Sequence, residues 1–130
     1  MALVVLNGPT VMAGESLSDA LDCSAGKIIR LTMPTAWSGT TISFLASTDG
    51  VGFNDLMKPD GHEVTATVVA GTAIIGLALD TGFIKIRSGT RDVPVVQTAQ
   101  HTFAVTIDTG AAAAPAGNEL RVRLLGALQP

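Results

Sequence analysis

Residues 45–56 read LASTDGVGFNDL, and the fold turns on whether this run of Ser, Asp, Gly and Asn is a ligand loop or a reversal between two strands. The Ser-x-Asp-x-Gly-x-Thr-Trp turn of sialidase-like propellers does not fit, because Gly50 follows Asp49 directly and the Thr is missing. A calcium loop of the EF-hand kind needs oxygen ligands at alternating positions and a distal Glu, whereas Asp49, Asn54 and Asp55 are spaced otherwise. What remains is mechanical. Asp-Gly between two runs of alternating polarity favours a primed hairpin turn, whose twist suits the flanking strands. On that reading Phe53 and Leu56 return to the core, while Ser47 and Asn54 satisfy exposed backbone groups.

Working outward from this hairpin, a period of two recurs along the chain. In KIIRLTM, Ile29, Leu31 and Met33 share one face and Ile28, Arg30 and Thr32 the other, as a half-buried strand requires. TTISFLAS sets Ile42, Phe44 and Ala46 against Thr41, Ser43 and Leu45. HEVTATVV lines up Val64, Ala66 and Val68, FIKIRS opposes Ile84 and Ile86 to Lys85 and Arg87, and HTFAVTID aligns Phe103, Val105 and Ile107. The connectors MPTAWSGT, KPDGHE and RSGTRDVP carry the Pro and Gly residues that punctuate such runs. SLSDALD offers Ser16 as a helix cap, but Leu17 and Leu21 also suit an edge strand, and the strand is preferred. About eight short strands at regular spacing predict an all-β antiparallel sandwich, jelly-roll-like, over residues 1–110.

Beyond it, AAAAPAGNE is small and broken by proline, an extended linker in composition. It leads to LRVRLLGAL, where Leu120, Val122 and Leu124 oppose Arg121 and Arg123. Residues 111–130 thus read as a tether and a C-terminal strand or arm, free to pair with its own sheet or with a neighbouring subunit's edge. Leu120, Val122, Leu124, Leu125 and Leu128 are its candidate partner-binding residues.

The 130 residues fit one domain with one core. A hydrophobic fraction of 47% against 15% charged residues supplies enough apolar surface to offset chain entropy, which excludes a disordered chain. The net charge of −3 provides no basic field for nucleic acid. MALVVLNGPTVMAG has no charged start, the first basic residue being Lys27, so no export signal is expected. The apolar region from Val68 to Leu79 is broken by Gly71, Thr72 and Gly76 and is too short for a membrane span. Cys23 is the only cysteine, so neither an internal disulfide nor a cysteine-based metal site is available.

Two tripeptides imitate an active site. Asp80-Thr81-Gly82 and Asp108-Thr109-Gly110 each follow an apolar strand, and pepsin-like proteases bring two such carboxylates together to share a proton and activate water. The LLG at Leu124 to Gly126 resembles the late segment of the single-loop dimers of that class. Against this, Phe83 stands where a small residue is normal, and the second loop leaves too little chain for another catalytic lobe. His62 and His101 each lie in a strand without a neighbouring ligand. No nucleophilic triad or phosphate loop is visible, so no enzyme, cofactor or metal is expected. Sugar stacking on an exposed aromatic is the remaining site chemistry: Trp37, in MPTAW, is the candidate glycan platform, although a buried lid is the commoner fate of a Trp after a proline turn.

The SLSDALD strand, the MPTAW corner, the F-x-x-S-x-D-G hairpin and IKIRSGT followed by PVVQ span roughly Glu15 to Ile107. Together they resemble a small virion-protein family of tailed bacteriophages and gene-transfer particles. The resemblance implies a structural protein of the virion, made in the host cytoplasm, that decorates or stabilises the capsid as an oligomer by binding major capsid or other virion proteins. The alternative is a neck, collar or tail-fibre component that binds a host-surface glycan. An aspartic protease-like enzyme is the remote third reading.

Overall fold

In the computed structural model, residues 2–79 and 82–110 are described. Nine strands make up the described elements: β1 (Leu3–Val11), β2 (Leu21–Asp22), β3 (Lys27–Thr32), β4 (Thr41–Ser47), β5 (Asn54–Asp55), β6 (Thr65–Thr67), β7 (Ala73–Leu79), β8 (Phe83–Ser88) and β9 (His101–Asp108). They form two antiparallel sheets, one in the order β1-β9-β3-β7 and the other β2-β8-β4-β5, with β6 also paired to β4. β5 and β6 lie end to end along one edge of β4, opposite Leu45–Ala46 and Thr41–Ser43 respectively. Between them the chain makes a small excursion, closed by the Met57–Glu63 bridge and turning at Lys58–Gly61.

Counting β5 and β6 as one interrupted strand gives eight, and the pairing then follows one rule. First pairs with eighth (β1 with β9), second with seventh (β2 with β8), third with sixth (β3 with β7) and fourth with fifth (β4 with β5). That is one long antiparallel hairpin rolled up so that its successive strand pairs fall in alternate sheets, the jelly-roll arrangement. The 45–56 stretch is its tip.

The inner faces enclose one core. Phe103, Val105 and Ile107 of β9 and Leu31 of β3 meet Ile42 and Phe44 of β4 and Ile84 and Ile86 of β8, all at most 2% exposed. Burying each of these side chains contributes about 1.5–3 kcal/mol relative to exposure.

Three sequence expectations need correction. In β3 it is Ile28, not Ile29, that shares the inner face with Leu31 and Met33. Against β9, Ile28 pairs with Ile107 and Arg30 with Thr106, so β3 carries one extra residue and its parity reverses there; the register against β7 shifts at the same place. The β4–β5 connection is a six-residue loop, 48–53, rather than a two-residue turn. Leu56 packs on the core as expected, but Phe53 lies outside it, half-buried with the Lys85 ammonium 4.7 Å from its ring centre. A fourth difference is an addition, since β1, the longest strand, occupies the opening segment considered above only as a possible leader. SLSDALD is an edge segment along β8: Ser88 N donates to Ser16 O, Ser18 N to Ile86 O, and Leu21 pairs with Ile84.

Candidate functional site

The loop at the hairpin tip is built by two side chains. Ser47 Oγ accepts from the amides of Asp49 and Gly50 and donates to Asp49 Oδ1, at 3.2, 2.9 and 2.9 Å. Asp49 Oδ1 in turn accepts from Val51 N and Gly52 N at 2.9 and 3.1 Å. These two backbone donors, followed by the Ser47 hydroxyl, hold the Asp49 carboxyl below the ordinary aspartate range. The carboxylate is thereby engaged in closing its own loop. Ser47 plays the expected backbone role; Asn54 is exposed and takes part through its backbone pairing with Ala46.

On the outer face of the second sheet, Arg87 makes a forked set of contacts. Its Nε donates to Ser43 Oγ at 2.9 Å, Nη1 to Asp55 Oδ1 at 2.8 Å and Nη2 to Glu63 Oε2 at 2.6 Å. Arg91 adds Nε at 3.6 Å from Asp55 Oδ2, and its amide donates to Glu63 Oε2 at 3.0 Å. Two cations and two anions neutralise one another, with the Arg87 and Glu63 side chains only 12% and 13% exposed. The cluster ties β4, β5 and the start of β6 to β8. Its charges face one another rather than a ligand.

Trp37 is 6% exposed, its ring against Phe103 at 5.1 Å and His101 at 5.6 Å between centroids. It is the lid of the core and presents no open face on which a sugar could stack, so the candidate glycan platform is withdrawn. Gln97, of PVVQ, is wholly buried; its Nε2 donates to Ser38 O and Ser88 Oγ at 2.7 and 2.8 Å, and its Oε1 accepts from Ser38 N at 3.1 Å. This one amide joins the MPTAW corner to IKIRS and PVVQ. Gly89, in the adjoining turn, has φ +85°, and a Cβ there would collide with the Val93 carbonyl. MPTAW, IKIRS and PVVQ thus meet at a joint of the sandwich.

Among the described residues the remaining chemical candidates are dispersed. β7 and β9 end at Leu79 and Asp108 on either side of β3, so a whole strand separates the ends that lead into the two Asp-Thr-Gly tripeptides. Asp108 Oδ1 accepts from Gly110 N, and Asp80 lies outside the described residues. His62 is exposed beside Asp60, with Nδ1 at 3.1 Å from Oδ1, whereas His101 is buried under Trp37. Among the described residues no three His, Cys, Asp or Glu side chains cluster as metal ligands. Cys23 is buried, and burial foremost, with Asp22 beside it, pushes its thiol up to about 11, which leaves it inert. Two open hollows, of about 160 and 370 Å³, are walled by Ser47, Thr48 and Asn54 and by Thr40, Thr41, Thr90, Val93 and Val95. Neither has a titratable wall. No described helix is long and apolar enough to cross a membrane.

One feature of the surface is not self-satisfied. Among the described residues β1 has a strand neighbour on one side only, β9, and its free edge begins Leu3-Val4-Val5, at 50%, 41% and 56% exposed. Val4 pairs with the buried Ile107 and therefore points toward the core side, yet it is left open. Residues 2–14 offer no charged side chain to guard this edge. Sequence reading missed it because the strand itself went unread; the signal was the uncharged aliphatic run ALVVL. The C-terminal arm residues Leu120, Val122, Leu124, Leu125 and Leu128 lie outside the described residues.

Comparison of the chain with known protein families, with characterised proteins and with solved structures finds no match.

Proposed function

We propose that the protein is a structural component of a tailed-phage virion that decorates or stabilises the capsid, binding major capsid or other virion proteins and copies of itself. The observation that carries this reading is the open aliphatic edge of β1 on a body whose buried charges and amides are otherwise engaged internally. An unprotected edge strand is a template for another chain. A soluble monomer pays for such an edge in aggregation, whereas a subunit of an assembly uses it. The motif resemblance points the same way, as does fold analogy, since double-sheet jelly rolls recur in viral capsid domains. On a symmetric shell many copies make modest contacts sufficient through avidity.

Quantitative mass spectrometry of purified particles tests the proposal. Copies in the hundreds correspond to the shell, and a count of about six or twelve corresponds to the portal axis. Absence from washed particles overturns it.

A further inference from the structure

We propose that the free edge of β1 is the receptor for the C-terminal arm of a neighbouring copy, residues 120–125 adding there as an antiparallel strand. This deepens the reading of the protein as a subunit that binds its own copies, and it does not depend on the virion.

The edge is complementary to the arm in pattern. With Leu120 opposite Leu6 and Val122 opposite Val4, the arm's apolar residues fall on the core side, where Leu6 packs on the core and Val4 is 41% exposed. Arg121 and Arg123 then fall on the outer face beside Val5 and Leu3, where their stems cover aliphatic surface and their guanidinium groups reach water. Parity decides this match, because residues opposite one another across a ladder share a face. The edge contributes unpaired backbone groups, and it carries no charge to repel the arginines.

Direction distinguishes an arm of the same copy from one of a neighbour. Among the described residues all seven ladders are antiparallel. A strand added antiparallel to β1 enters beside Asn7 and finishes beside Leu3. β9, however, delivers its own chain to the Leu3 end, where Thr109 N donates to Ala2 O at 2.9 Å. The arm of the same copy would have to run back about 17 Å along the edge before pairing, using a linker interrupted by Pro115. An arm arriving from another copy has no such detour.

Cysteine pairing on the purified full-length chain tests this. Val4→Cys protein is mixed under mild oxidation with Leu120→Cys, Val122→Cys or Leu124→Cys protein, one variant for each register; Cys23 can remain, being buried and unreactive. The expected result is a disulfide-linked heterodimer in one of the mixtures, and loss of oligomer, by light scattering, when 118–130 is deleted. Three outcomes overturn the inference. One is an intrachain link in the Val4→Cys, Val122→Cys double variant without linkage between mixed chains. Another is self-linkage of Val4→Cys with assembly unaffected by the deletion, which would mean that two β1 edges pair directly. The third is no linkage in any mixture. Cross-linking by a protein that is absent from particles would overturn the virion role and leave the arm contact standing.

Discussion

Arg87 shows how much of the second sheet rests on one side chain. β5 and β6 are two and three residues long, too short for their ladder bonds alone to hold them, and the guanidinium reaches past Ser43 to Asp55 and Glu63 beside them. Arg87→Met keeps the stem and removes the charge, leaving two carboxylates close together with only Arg91 nearby. Breaking such a pair from one side costs about 3 kcal/mol, measurable as a lowered urea midpoint. Adding Glu63→Gln to Arg87→Met should recover part of the loss, because one uncompensated charge is then gone; an Arg87→Met protein as stable as the parent would contradict this account. None of these partnerships was legible beforehand. FIKIRS correctly placed Arg87 on the outer face, but its acids come from Asp55 and Glu63, in other segments, and only the folded register brings them together. Gln97 is the same case: an amide in a loop, read as part of a motif, becomes a buried clamp once Ser38 and Ser88 converge on it.

Among elements, three turns share one device with a consequence for acid stability. Asp22 accepts from the hydroxyl and amide of Ser24, Asp49 from the amides of Val51 and Gly52, and Asp60 from the amide of His62. In each the hydrogen bonds favour the ionised form and lower the carboxyl's pKa on folding. The folded state therefore binds these protons less readily than the unfolded chain. Their contribution is full above the ordinary aspartate value of about 4 and is lost as pH falls toward the lower folded values. Thermal midpoints should accordingly decline below about pH 4, and Asp49→Asn should lower the midpoint at pH 7 while making the acid decline shallower. An unchanged acid slope would remove Asp49 from the explanation. Strand alternation made most of these elements readable, because one face of each sheet is buried and the other is not. It failed where the period itself is broken. The Ile28–Arg30 bulge flips a strand in mid-course, and β1 continues through a register shift between Asn7 and Thr10. At the hairpin tip the reversal was legible; the six-residue geometry, set by Ser47 and Asp49 together, was not.

For the whole molecule, the rolled hairpin makes the two ends of the sandwich depend on each other. β9 lies between β1 and β3, pairs Leu3 with Asp108, and supplies Phe103, Val105 and Ile107 to the core, each at most 2% exposed. Removing side chains of this kind costs about 2–5 kcal/mol each. Three of them account for most of the roughly 5–15 kcal/mol that holds a domain folded, even before the lost ladders on both sides of β9 are considered. Truncation after Gln100 should therefore abolish the cooperative thermal transition seen by circular dichroism. Truncation after Gly110 keeps every described core residue and should shift the midpoint by no more than about 2–3 °C. The contrast separates the structural work of the last described strand from the assembly work assigned to the arm. A chain ending at Gly110 that melts like the parent but no longer oligomerises has lost its partner contact and kept its fold. A chain ending at Gln100 that still melts cooperatively would mean that β1 and β3 close the sheet without β9, which the one-hairpin topology does not allow.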